Sequence, residues 1–144
     1  MKNTYKISLA VTLVVLIGAT LAYFYIFHSA HKNTFDEKAV YSITADSLYN
    51  AFASDEQNAN TKFLGKIIEV EGKLLSVKEM SESYQLTFVD EMAGVTCMID
   101  SNYAVQQKAE ILKLKTGDRV KIKGQCNGFL TDVQLDRCVL FNGN

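Results

Sequence analysis

The chain divides by the period of its hydrophobic positions. From Ile7 to Phe27 it reads ISLAVTLVVLIGATLAYFYIF, with no charged residue. About 20 apolar residues cross a hydrocarbon core roughly 30 Å thick. This stretch therefore predicts one transmembrane helix, residues 7–27, in contact with the lipid bilayer. Tyr23, Phe24, Tyr25 and Phe27 at its far end suit a membrane–water interface. The apolar run is longer than the roughly 7–15 residues of a cleavable signal peptide, and His28 stands where cleavage wants a small residue. No Cys follows the run to accept a lipid. These features predict an uncleaved signal anchor, with residues 1–6 as a cytoplasmic tail, 28–41 as a juxtamembrane linker and 42–144 as a folded domain. A short tail before a whole domain places that domain outside the cytoplasm, on the periplasmic side of a single-pass cell-membrane protein.

After the linker the pattern turns helical. Thr44 can cap a helix carrying Leu48 and Phe52 on one face, and Ser54-x-x-Gln57 matches a capping box for a second, short helix reaching Phe63. Gly65 ends it. The period then falls to two. In residues 66–78, Ile68, Val70, Gly72 and Leu74 alternate with Glu69, Glu71 and Lys73, which predicts a long strand bent at Gly72. Residues 83–89 and 94–99 predict strands with Tyr84, Leu86, Phe88, Val95, Cys97 and Ile99 inward. Residues 104–114 predict a helix capped by Ser101 or Asn102. Residues 119–126 and 132–141 predict two more strands, with Asn127-Gly128 opening the loop between them.

The order is helix, three strands, helix, two strands. A long bent first strand and a helix after the third describe an OB-fold, a five-stranded Greek-key barrel. The expected class is mainly β with flanking helices (α+β): a five-stranded OB barrel preceded by a short helical segment, plus the N-terminal membrane helix.

Composition narrows the function. The 144 residues hold no Pro, no Trp, three Cys and two His. That suffices for one small domain and an accessory segment. Residues 36–144 carry 12 Lys+Arg and 16 Asp+Glu, a formal net of −4, so a polyanion would need a local basic patch. Lys108, Lys113, Lys115, Arg119, Lys121 and Lys123 form a basic run. Pairing of the first and fourth barrel strands would set Arg119, Lys121 and Lys123 against Glu69, Glu71 and Lys73 and neutralise part of it. Single-stranded nucleic acid also needs aromatic platforms. The outward positions expected on the second and third barrel strands are Gln85, Thr87, Thr96 and Met98, none aromatic. Phe129, and secondarily Tyr103, are the aromatics near that face.

Cys126 and Cys138 fall on strands expected to be antiparallel neighbours. In an oxidising compartment they would form a disulfide stabilising by roughly 2–4 kcal/mol, with Cys97 a buried thiol. No C-x-x-C is present. His28-x-x-His31 has no third ligand nearby, so no metal is expected, and no cofactor. The chain has no G-x-S-x-G, no phosphate-binding Gly loop, no H-E-x-x-H and no His beyond the linker, which predicts a non-enzyme.

Residues 47–77, with Leu48-Tyr49-x-Ala51-Phe52, Asn58-Ala59, Phe63-x-Gly65-Lys66 and Val70-x-Gly72, resemble the opening of the tRNA_anti-like OB-fold family. Residues 114–140 resemble its ending, through Gly124-x-Cys126-x-Gly128-Phe129 and Val133-x-Leu135-x-x-Cys138. The resemblance spans roughly residues 42–141. It implies an OB barrel on a short bacterial envelope protein and implies no catalytic activity.

The resulting expectation is a membrane-tethered OB-fold module of the cell envelope that binds a protein or oligosaccharide. Its rim would be residues 78–83 and 127–132, with Phe129 and Leu130 as apolar anchors beside Gln85, Thr87, Thr96 and Met98. The alternative is an OB domain that binds single-stranded nucleic acid, with Lys108, Lys113, Lys121 and Lys123 on phosphates.

Overall fold

The computed structural model describes residues 13–21, 23, 34, 36–90 and 93–141. The chain forms two compact units, residues 1–33 and 34–144. In the first, residues 13–21 are helical, with Leu13, Val14, Leu16 and Ile17 exposed. Among the described residues no helix is long and apolar enough to cross a membrane. Most of the expected span 7–27 lies outside the described residues, as do His28 and His31.

The second unit runs β1 (Tyr41–Thr44), α1 (Ala45–Ser54), α2 (Glu56–Phe63), β2 (Ile67–Met80), β3 (Ser83–Phe88), β4 (Val95–Ile99), α3 (Ser101–Ile111), β5 (Arg119–Phe129) and β6 (Val133–Leu140). Strands β2 to β6 close a five-stranded barrel in the order β2-β3-β4-β6-β5, with β5 returning to β2. That circuit is the OB-fold expected from the order of elements. β1 lies outside the ring as a parallel edge strand on β2, Tyr41 opposite Ile68. The alternation rule did not reveal β1, since four residues are too few to show a period.

The barrel depends on β2 pairing twice. Ile67 to Lys73 pair with β5, and Leu74 to Met80 pair with β3, with a register shift between Leu74 and Ser76. Gly72 sits at the changeover. A Cβ there would lie 2.8 Å from the Ala45 Cβ and 3.0 Å from Phe88 Cδ1. Glycine therefore lets the first turn of α1 press onto the bend, besides easing the bend itself.

Helix ends follow hydrogen bonds. The Thr44 hydroxyl accepts from the Ser47 N–H at 3.2 Å, as expected of its cap position. α2 is capped by Asp55, not by the Ser54 of the expected box; its carboxylate accepts from the Asn58 N–H at 3.0 Å. A carboxylate at this end also meets the positive pole of the helix. α3 begins at Ser101, ahead of the expected Ala104, with Asp100 at its cap position. β5 continues through Asn127 and Gly128, expected as loop, to Phe129. A register shift between Cys126 and Gly128 absorbs the turn-like pair inside the strand.

The core joins Leu48, Phe52 and Phe63 from the helices to Leu86, Phe88, Ile99, Ile122 and Leu135 from the barrel, all 1% exposed or less. Phe52 and Phe63 have ring centroids 6.1 Å apart. α3 is docked by one buried amide. Gln107 Nε2 donates to the Leu140 carbonyl and Gln107 Oε1 accepts from the Leu140 N–H, both at 2.9 Å. Both backbone groups of β6 at this residue are thereby satisfied by one side chain.

Half of the expected linker belongs to the domain. The Thr34 N–H donates to the Tyr103 hydroxyl at 3.2 Å, Lys123 Nζ donates to the Glu37 carbonyl at 2.9 Å, and the Val40 N–H donates to the Ile67 carbonyl at 2.9 Å.

Replacing Phe52 by Ala is expected to cost about 3–5 kcal/mol, and Gly72 by Ala about 1–3 kcal/mol through the clash at the bend. Urea unfolding followed by circular dichroism reads both. A Gly72→Ala variant as stable as the parent would contradict the packing assigned to the bend.

Candidate binding face

The solvent side of the β2–β3–β4 wall is set by register. Lys78 pairs with Gln85, and Gln85 with Met98. One step along, Ser76 pairs with Thr87, Thr87 with Thr96, and Thr96 with Gln134 of β6. Two parallel rows of side chains thus cross up to four strands. The inward neighbours Tyr84, Leu86, Phe88, Val95, Cys97 and Ile99 are all buried, as their alternation predicts. Gln85, Thr96, Met98 and Gln134 are half-buried and Lys78 is exposed, while Thr87 is covered to 6% exposure at the centre.

Gln85, Thr87, Thr96 and Met98 are brought together as expected. Lys78 and Gln134 join them through cross-strand pairing that no single strand's sequence displays. The face is polar and free of aromatic rings among the described residues. It can offer amide and hydroxyl hydrogen bonds, one ammonium and one thioether to an extended ligand.

The expected apolar anchors separate. Phe129 lies in β5 and packs inward, its ring 6.0 Å from that of Phe52 and 6.1 Å from that of Tyr49. It is committed to the core, whereas Leu130 is 78% exposed. Tyr103, the other candidate platform, is half-buried with its hydroxyl taken by Thr34.

The basic run dissolves. Lys121 lies 3.8 Å from Glu69 and 3.5 Å from Glu71, and Arg119 lies 3.5 Å from Glu71. This is the cross-strand neutralisation expected from the pairing of β2 with β5. Lys123, expected outward, is 6% exposed. Its ammonium is held by the Glu37 carbonyl and sits 5.4 Å from the Phe141 ring centroid. It is a strut for residues 36–40 and is not free to reach a phosphate. Lys108 and Lys113 are exposed but line different clefts. Lys108 shares one of about 210 Å³ with Glu79, Glu82 and Tyr84. Lys113 shares one of about 660 Å³ with Glu110, Arg119 and a floor of Leu114, Val120 and Leu140.

Near the face, burial raises the Asp100 carboxyl above its ordinary value; the Asp136 carboxylate adds to this and Arg137 opposes it. Burial also raises the Tyr84 phenol, whose hydroxyl donates to Glu79 at 3.2 Å. Among the described residues no group of three metal-ligating side chains converges.

The three cysteines are free and buried, so the expected Cys126–Cys138 bond is not present. The reason is register: Cys126 faces Leu135 across the β5–β6 pair. Cys138 instead donates its S–H to Cys97 and accepts from the Met98 N–H; burial, the largest cause, and the Cys97 contact push its thiol well up. The Cys126 thiol is also raised by burial.

Two outcomes follow. Between its unfolded and its raised folded value, Asp100 holds a proton in the folded state that the unfolded chain has lost, so its contribution to stability falls as pH rises past the ordinary carboxylate range. Asp100→Asn is therefore expected to raise Tm at pH 7 and to lose that advantage near pH 3, read by calorimetry at both pH values. Lys123→Ala is expected to cost about 1–3 kcal/mol, because the Glu37 carbonyl loses its donor. Urea midpoints check this, and a neutral result would show residues 36–40 to be unstrapped.

Comparison with known proteins places this architecture. The family profile described as tRNA_anti-like matches residues 1–140. A lipoprotein of Klebsiella pneumoniae, named as a candidate nucleic acid-binding protein, superposes with a TM-score of 0.56 at 19% identity, over 69% of this chain and 91% of that one. A Leishmania major protein named as a candidate aspartyl-tRNA synthetase superposes at 0.48 and 9% identity, over 69% of this chain and 20% of that one. The Stn1–Ten1 complex of S. pombe gives 0.42 and 15%, over 54% of this chain and 59% of that one. No curated protein matches by sequence. With a profile covering almost its whole length and an OB barrel beneath it, the chain belongs to the tRNA_anti-like family.

Proposed function

We propose that this domain is a non-catalytic OB module that binds single-stranded nucleic acid across the β3–β4 face. The observation that carries the reading is the in-register row Lys78–Gln85–Met98 beside Thr87–Thr96–Gln134. Among the described residues, no hydrogen bond or ion pair engages the side chains of Lys78, Gln85, Thr96 and Gln134. Unpaired amides and hydroxyls on a barrel wall can meet the edges of splayed bases, and Lys78 can meet a phosphate. Membership of the tRNA_anti-like family and the name of the Klebsiella lipoprotein support the same reading. With a single lysine on the face, few counterions are released, so the dependence on salt is shallow, with a slope of about −0.7 in log K against log salt.

Residues 7–27 act as a single-pass anchor in this reading, and residues 34–144 stand outside the cytoplasm, where the ligand is imported or extracellular nucleic acid. The uncharged run of the sequence supports the anchor.

One observation favours a second reading. Among the described residues the face lacks an aromatic platform, and Glu79, Glu82, Asp100 and Asp136 flank its rows along the chain. Such a surface suits a neutral envelope oligosaccharide or a protein segment better than a polyanion.

Fluorescence anisotropy of a labelled mixed-sequence single-stranded oligonucleotide, titrated with the full-length protein in mild detergent, tests the first reading. Saturable binding is expected, weakened roughly five- to tenfold by Gln85→Ala with Thr96→Ala. No binding, or binding indifferent to those changes, moves the second reading into first place. For orientation, the native thiols are buried and silent, so Val105→Cys, at a site 76% exposed, serves as reporter. Labelling of intact cells by an impermeant maleimide is expected, and labelling only after lysis would overturn the outside placement.

A further inference from the structure

We infer that Cys97 and Cys138 form a disulfide when the chain folds under oxidising conditions, stapling the β4–β6 seam beneath the candidate face. The seam is the shortest registered ladder of the barrel. β4 and β6 run parallel and share three registered pairs, Val95 with Val133, Thr96 with Gln134 and Cys97 with Leu135. The other junctions of the barrel are longer antiparallel ladders. Cys97 stands at the last registered pair, where the two strands part.

β6 is then reshaped so that Cys138 returns to that point. Gln125 pairs with Asp136 and Lys123 with Val139, so Gly124 alone faces Arg137 and Cys138. Arg137 takes φ 51°, the left-handed conformation that lets the extra residue be inserted. Cys138 turns inward over Gly124, where a Cβ would lie 2.5 Å from its Sγ. The Cys138 S–H donates to Cys97 and its sulfur accepts from the Met98 N–H, one residue past the fork. Bulge, glycine and thiol contact bring Cys138 to Cys97, while Cys126, which also feels the Cys97 thiol, stands opposite Leu135 on β5.

The chemistry needs an oxidant, and a small disulfide such as oxidised glutathione supplies it. One cysteine, as thiolate, attacks the glutathione S–S bond and expels one glutathione thiolate. The second cysteine attacks the mixed disulfide and expels the other. The protein loses two protons and two electrons, and the oxidant becomes two thiols. Both sulfurs are fully buried in the closed barrel, so the exchange takes place during folding, before the seam closes. The bond would hold β4, and with it Thr96 and Met98, against β6 and Gln134.

The test refolds the reduced, urea-unfolded full-length chain into detergent with mixed oxidised and reduced glutathione, followed by alkylation under denaturing conditions and peptide mapping. The expected map shows Cys97 linked to Cys138 and Cys126 alkylated. Cys126→Ala is expected to keep the link and Cys97→Ala to abolish it. The oxidised protein is expected to melt on the order of 10 °C above the reduced one. Three alkylated cysteines, or a bond that includes Cys126, would overturn the inference. The wild-type map decides between these results even if a variant fails to fold.

Discussion

Everything in the domain depends on one strand serving two walls. β2 gives its first half to β5 and its second half to β3, and the barrel can close only if the strand bends between them. Gly72 stands at the bend, pressed by Ala45 and Phe88. α1 lies directly on this point, so the same glycine that permits the closure also seats the helix that covers it. Phe52 and Phe63 then fill the barrel mouth from above. The bend, the helix seat and the aromatic plug form a single packing problem with one solution.

The distribution of charge follows from that closure. Once β2 and β5 are antiparallel in this register, Glu69 and Glu71 face Lys121 and Lys123, with Arg119 one step beyond. A line of cations that looks available in the sequence is thereby partly spent on neighbouring acids. Each such exposed pair contributes little to stability, but together they weaken the local field a polyanion would follow. Lys123 goes further. It is taken out of water by the strap at residues 36–40, and its charge is received by the Glu37 carbonyl and the face of Phe141. The outward row of β3 and β4, Gln85, Thr87, Thr96 and Met98, is left uncharged.

The other end of the barrel is governed by the fork between β4 and β6. Past Cys97 the strands part, and β6 must satisfy its backbone elsewhere. Gln107 meets this need at Leu140 with both atoms of its amide. A glutamine on a helix of otherwise weak amphipathicity thus acts as a missing strand neighbour. The bulge at Arg137 belongs to the same adjustment, turning Cys138 inward while the ladder with β5 resumes at Val139.

Local periodicity determined a great deal from the sequence alone: the bent first barrel strand, the inward faces of β3 and β4, the helix between β4 and β5, and hence the OB circuit. These were legible because a strand with one buried face must alternate and a long strand shows many periods. The outward group Gln85, Thr87, Thr96 and Met98 followed from the same rule. The tertiary structure alone decided which residues meet across strands: Lys78 and Gln134 joining that face, Lys123 turned inward, Phe129 drawn under α1, and Cys138 set against Cys97 rather than Cys126. Each depends on register and bulges, and a one-residue shift exchanges the two faces of a strand without altering its composition or period. Alternation along a chain records which side of a strand is buried. It carries no record of which neighbour lies opposite, because that is set by closure of the barrel as a whole.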